Sequence, residues 1–161
     1  MGGSDLIADV WSSAQGALGS TTRVDLGNVR DLDLQRYAVA VDGSIDGGAA
    51  GLSLQLYLSS VLAWGSGPAE ADLLADGNAS DPFSGFDVAG LRLMAGGQEL
   101  QFHRDLQAGM NVVLDVTLTG ADLKDTKSGR LLVLLVQRTY SDEHGPLIEC
   151  RETFLGREAL G

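Results

Sequence analysis

The sequence predicts an α+β domain, and three observations carry that prediction. Everything after Leu91 reads as long segments with strand alternation. The first half holds two helix-like segments, one amphipathic and one apolar nearly all round. Glycine- and aspartate-rich breaks separate the segments. A strand and two helices followed by long antiparallel strands is an α+β order.

The elements follow along the chain. Asp5 to Ala17 is weakly amphipathic, with Leu6, Ile7, Val10 and Trp11 on one side, and reads as a short helix or a docking arm. Ser20 to Leu26 alternates as an edge strand does. Asp31 or Asp33 can cap a helix that carries Leu34, Tyr37, Ala38 and Val41 at helical spacing. Gly43, Gly47, Gly48 and Gly51 break the chain. Leu52 to Trp64 is apolar on almost every side, which predicts a helix buried over most of its surface. Gly65 to Gly90 is a polar loop with Pro68 and Pro82. Its length suits a functional loop or one covering a neighbouring subunit.

The strands come next. Leu91 to Leu106 is interrupted by Gly96-Gly97, the mark of a bulge or bend. Met110 to Leu123 turns Val112, Leu114, Val116 and Leu118 inward, with Asp115, Thr117 and Thr119 outward. Leu131 to Tyr140 is apolar enough for a central strand covered on both faces. Asp142 to Gly145 is a turn, and Pro146 to Arg157 returns antiparallel. The predicted core comprises Leu58, Val61, Leu62, Leu93, Leu100, Val112, Leu114, Val116, Leu132, Leu134, Val136 and Phe154. Residues 1–18 are expected to be an arm or short helix, and 19–161 a single domain.

Composition narrows the function. A chain of 161 residues fits one domain, and 44% apolar residues can fill its core. A formal net charge of −11 argues against nucleic acid and anionic membranes, since its 11 Lys and Arg residues are scattered. A binder of coenzyme A would need a local basic spot, for which Arg104, Arg130, Arg138 and Arg151 are available. The single Cys150 forms no internal disulfide and suits a reducing compartment. With no secretory leader pattern and no apolar run of membrane-spanning length, the expected location is the cytoplasm. One Cys and two distant His residues give no metal-ligand spacing. The glycines of 43–51 lack the Gly-Lys-Ser/Thr ending of a phosphate loop.

A family resemblance rests on particular residues. The stretch Ala95-Gly96-Gly97-Gln98-Glu99-Leu100-Gln101-Phe102-His103-Arg104, with the closing strand pair 129–140 and 149–155, resembles the MaoC-type (R)-hydratase/dehydratases. Asp33-Leu34-Gln35-Arg36-Tyr37-Ala38-Val39-Ala40 is similar to that family's Asp-Ile-x-Arg-Phe-Ala-x-Ala. The resemblance covers roughly Gly19 to Glu158. It implies a single hot-dog domain, an antiparallel sheet wrapped around a central helix, acting on acyl thioesters. It also implies work in pairs, as a homodimer or as a heterodimer with another hot-dog subunit. No cofactor is implied beyond coenzyme A or acyl carrier protein bearing the substrate.

The resemblance fails where the family keeps its chemistry. Adding or removing water across a double bond needs one group for the alpha proton and another for water. The family supplies them from Gly-Asp-x-Asn-Pro-x-His. Here Val41-Asp42-Gly43-Ser44-Ile45-Asp46-Gly47 carries no Asn-Pro and no His, and the connecting segment is short. Ala95 stands where His often precedes Gly-Gly-Gln. Asp105 replaces the Pro of His-Arg-Pro, and Ala108 that of Pro-Gly-Asp.

The candidate catalytic residues are therefore Asp42, Asp46 and His103. The two aspartates sit beside a glycine-rich break, where carboxylates also cap helices or make Asx turns. His103 resembles the family's Phe-His-Arg, and otherwise is an edge-strand His bonded to a neighbour. His144 falls in a polar turn. Gly96, Gly97 and Gln98 could bring a backbone N–H to a thioester carbonyl, as an oxyanion donor must, or form a plain bulge. Tyr57, Trp64 and Arg104 complete the candidate substrate-binding set, with simple packing as the competing role of the two aromatics.

Two functions follow. One is a degenerate subunit that shapes the acyl pocket of a hydratase/dehydratase or related biosynthetic complex without the Asp/His pair. The other is a stand-alone enzyme redirected to a different reaction on an acyl or polyketide-like substrate, using Asp42, Asp46 or His103. A carrier-binding module is a third, and fold alone does not choose among them.

Overall fold

The computed structural model describes residues 5–42, 54–65, 67, 69–73, 88 and 90–158. Among these, one antiparallel sheet holds β1 (Thr21–Asn28), β2 (Leu91–Phe102), β3 (Asn111–Thr126), β4 (Gly129–Asp142) and β5 (Gly145–Glu158), in the order β1-β3-β4-β5-β2. The helices are α1 (Leu6–Gly16), α2 (Asp31–Asp42) and the single turn α3 (Tyr57–Ser60). This is the α+β arrangement that the sequence predicts.

Alternation builds the inner face. Leu114, Tyr140 and Ile148 form one buried row across β3, β4 and β5. Val112, Val116 and Leu118 continue the face on β3, as do Leu132, Leu134 and Val136 on β4. Each such side chain contributes about 1.5–3 kcal/mol on leaving water.

Bulges curve the sheet. Leu26, Gly96 and Thr119 each fall outside the pairing register of their ladders. An extra residue sharpens the twist and shifts the inward phase. On β3 the buried positions accordingly move from Leu118 to Ala121. On β1 the irregularity ends at Gly27, whose φ of +77° favours glycine and whose N–H donates to Asp25 Oδ1 at 2.9 Å.

The structure corrects the helix expected over Leu52–Trp64. Within its described part, 54–64, it is interrupted, with α3 and a 3-10 turn Leu62–Trp64 on either side of Val61 (φ −129°, ψ −60°). The Oγ atoms of Ser59 and Ser60 both donate to the Leu56 carbonyl, at 3.3 and 2.6 Å. Such back-bonding bends a helix and weakens its continuation. Tyr57 and Leu58 still reach the core, but Val61, expected in the core, is 43% exposed. Leu62, Leu93, Leu100 and Phe154 are partly buried at its margin.

It is α1 that lies along β3, β4 and β5. Asp5 caps it through Ala8 N–H, and Ile7, Val10 and Ala14 are buried in the same core as the sheet. Trp11 Nε1 donates to the Ala121 carbonyl at 3.2 Å, and Ile7 N–H to Glu158 Oε1 at 3.2 Å. A second correction concerns β4. Leu135 is 39% exposed and Val133 half-buried, so among the described residues this strand is fully buried on one face only.

Candidate functional site

Chemistry-bearing residues gather where β2 bulges against β5. Ala95 pairs with Phe154 and Gly97 with Thr153, leaving Gly96 without a partner in the register. The bulge opens a cavity of about 400 Å³ lined by Ala95, Gly96, Gly97, Gln98, Glu152, Thr153 and Phe154. A Cβ at Gly96 would lie 3.2 Å from the Thr153 carbonyl oxygen and 3.1 Å from Leu155 Cγ, so glycine admits the close approach of the two strands.

A polar network lies beside this cavity on the inner face. Gln98 stands opposite Glu152, and its Nε2 donates to Glu152 Oε1 at 3.1 Å and to Cys150 Sγ at 3.1 Å. Arg138 Nε donates to Glu152 Oε2 at 2.6 Å. Both carboxylate oxygens of Glu152 are thus engaged. Burial pushes the Cys150 thiol up to about 11, which makes it a poor nucleophile at neutral pH. The cavity can hold a polar group against Gln98 and the bulge, with an apolar chain against Phe154. Glu152 is its carboxylate, and it is already committed to Arg138.

The sequence candidates divide accordingly. Gly96, Gly97 and Gln98 line the cavity together. His103 does not join them. Its Nε2 lies 3.7 Å from Glu149 Oε2, and strand alternation puts Glu149 on the face opposite Cys150 and Glu152. Arg104 is committed to the β4–β5 turn. It pairs with both carboxylate oxygens of Asp142 and donates to the Gly145 carbonyl at 2.6 Å and the Pro146 carbonyl at 3.2 Å. Its guanidinium holds the Asp142 carboxyl below the usual range. Tyr57 is buried and meets Tyr37 edge to face, with ring centroids 5.6 Å apart. Burial raises its phenol. Asp42 ends α2, but its side chain, that of Trp64, and all of Asp46 lie outside the described residues. No group of three or more His, Cys, Asp or Glu could hold a metal among the described residues.

The sequence reading missed Glu152 and the pairing role of Arg138. A signal was present. Arg138 shares the inward parity of Val136 and Tyr140, and Glu152 that of Cys150 and Phe154. Two opposite charges thus stand on inward positions of adjacent strands.

Comparison with known proteins agrees with this architecture. Residues 55–150 match the family model described as FAS1-like, dehydratase domain region. A chain of the ChsH1-ChsH2 complex from Mycobacterium tuberculosis superposes with a TM-score of 0.65 at 17% identity, over 99% of this chain and 95% of that one. A MaoC-like dehydratase from Rhodospirillum rubrum gives 0.53 at 14% identity, over 90% and 94%. The HadBC (3R-hydroxyacyl-ACP dehydratase) complex from Mycobacterium tuberculosis gives 0.53 at 14%, over 87% and 97%. No match is found among curated protein sequences.

Proposed function

We propose, from the premise that this chain belongs to the family of FAS1-like dehydratase domain regions, that it is a pocket-shaping subunit of an acyl-thioester hydratase/dehydratase. In this reading it lines the acyl pocket and leaves the acid–base pair to a second hot-dog subunit. The observation that carries the proposal is the position of the bulge cavity. It lies on β2, an edge strand whose outer side has no neighbour among the described strands. An unpaired edge of 12 residues is a template for another strand. A partner paired there would close the cavity and could face it with its own catalytic groups.

Two further facts support the reading. Glu152 is held by Arg138 and Gln98, and His103 lies on the other face of the sheet, so the cavity has no unengaged Asp/His pair among the described residues. The structures that superpose include two heteromeric complexes, ChsH1-ChsH2 and HadBC. The chain itself has no helix long and apolar enough to cross a membrane among the described residues.

The test is an assay with enoyl and 3-hydroxyacyl thioesters, using the purified chain alone and with a co-encoded hot-dog partner. General acid–base catalysis contributes about 10²–10⁴-fold, so the chain alone should be nearly inert and the pair active. Asp42→Ala and His103→Ala should leave the activity of the pair intact. Robust turnover by the isolated chain, abolished by either change, would overturn the proposal in favour of a redirected stand-alone enzyme.

A further inference from the structure

The outer face of the sheet, turned away from α1, is divided in two. At one end it is polar from edge to edge, with Arg23, Asp115, Thr139, Glu149 and Gln101 in one row of the register. Those groups answer one another. Arg23 pairs with Asp115, Thr21 meets Thr117 at 2.7 Å, and His103 Nε2 lies 3.7 Å from Glu149. Toward the β3–β4 hairpin the same face turns apolar. Met94, Leu155 and Val133 stand in one row that ends at Asp122, and Leu131 and Leu135 flank Val133 along β4.

Met94 is 45% exposed and Leu135 39%, with Leu131, Val133 and Leu155 half-buried between them. The patch is also flat. A Cβ at Gly120 would lie 2.9 Å from Leu135 Cδ1, so the Leu135 side chain lies across the glycine instead of standing up from the sheet. Flat apolar sheet faces pack on one another about 10 Å apart, their strands crossing at about −30°. Four strands about 4.8 Å apart and three rows about 6.7 Å apart give the patch roughly 400 Å² in plan. An apolar patch of that size on one chain is often functional. It is about half of one side of a standard protein interface, which suits a weak, reversible contact.

The charges at its margin say what fits. Asp122 and Lys124 are exposed, two residues apart on β3, and neither is paired among the described residues. Opposite charges set so on one strand make the face complementary to itself. A two-fold axis crossing the strands between them sets Lys124 on Asp122 of a second copy, and Asp122 on its Lys124. The same axis sets Leu131 on the second copy's Val133, and Leu135 on its Gly129, where no side chain intrudes. An axis through Val133 would set Asp122 on its own counterpart, which like charge disfavours. Arg157 leaves the patch clear. Its guanidinium turns to Ser128 and Thr126 at the hairpin end, and only its alkyl stem stays on the face.

We propose that two copies of this chain associate through this face, about a two-fold axis that crosses β3 between Asp122 and Lys124. The contact uses neither the β2 edge nor the bulge cavity, so it is independent of the partner and the chemistry inferred from them.

Sedimentation equilibrium of the full chain at low ionic strength, from about 1 to about 200 µM, tests this. A monomer–dimer equilibrium with a Kd on the order of 10 µM is expected. Leu135→Lys, at a position already 39% exposed, should weaken it at least about tenfold and leave the thermal melt unchanged. Asp122→Lys and Lys124→Asp should each weaken it about three- to tenfold, and the double exchange should restore it. Net charge alone would make Asp122→Lys strengthen the association of this acidic chain, which is the opposite sign. A chain still monomeric at about 200 µM would overturn the proposal. So would a dimer indifferent to Leu135→Lys, as strand pairing at the β2 edge would give, or one tightened by Asp122→Lys or left broken by the double exchange. Asp122 and Lys124 are exposed, so their variants keep the test sound should Leu135→Lys misfold.

Discussion

Replacing Arg104 by Ala should expose how much of this fold hangs on the β4–β5 turn. The change removes two donations to Asp142 and one each to the Gly145 and Pro146 carbonyls. The Asp142 side chain is 4% exposed and that of Arg104 32%. Removing one member of a buried pair costs about 3–5 kcal/mol, and an exposed pair is worth about 0–1 kcal/mol. Arg104 is about one-third open, and water can rehydrate two backbone oxygens, so about 2–3 kcal/mol is expected. Against a stability of about 5–15 kcal/mol for a domain, that is a large fraction.

Urea denaturation at neutral pH reads the loss, and a double-mutant cycle with Asp142→Asn isolates the pair. The pH dependence has a definite sign. Arg104 lowers the Asp142 pKa in the folded state, so the stabilisation is full above the unfolded carboxyl pKa of about 3.9 and disappears as pH falls through the folded value. The penalty of Arg104→Ala should be constant from about pH 7 to 5 and shrink in stronger acid. A loss under about 1 kcal/mol, a coupling near zero, or a penalty unchanged in acid would refute the reasoning.

Other consequences are simpler to test. Leu134→Ala, at a position with no exposed surface, should cost about 2–5 kcal/mol in the same denaturation experiment. Cys150, buried and with its thiol at about 11, should resist alkylation at pH 8 until the chain unfolds; rapid labelling of the native protein would contradict its placement. Gly96→Ala forces a side chain against the Thr153 carbonyl and should lower stability by about 1–3 kcal/mol, read as an earlier thermal midpoint. If the proposed pairing holds, Glu152→Ala should free Arg138 and Gln98 into the cavity and raise the KM of the pair for thioester more than it lowers kcat.

Strands were legible because a period of two survives in the residues themselves. Val112 to Leu118 names its own face, and Gly96-Gly97 announces its bulge without any partner in view. The segment 52–64 was less legible for the opposite reason. A run that is apolar on every side has no phase, so nothing in it distinguishes a continuous helix from the turns that Ser59 and Ser60 break up. The site divides in the same way. Gly96, Gly97 and Gln98 could be picked from a local motif. Glu152, 54 residues from Gln98, enters only through the β2–β5 register.

The open edge of β2 has a further cost in the cell. In the proposed reading, a subunit made in excess of its partner would present the outward N–H and C=O groups of a 12-residue edge strand, unpaired among the described strands, to any other extended chain, including copies of itself. Its acidity slows that encounter but does not remove the template. Matched synthesis of the two subunits would then be a condition of solubility. An unpaired surplus should be cleared by proteolysis or lost as aggregate, so the level of this chain should track that of its partner.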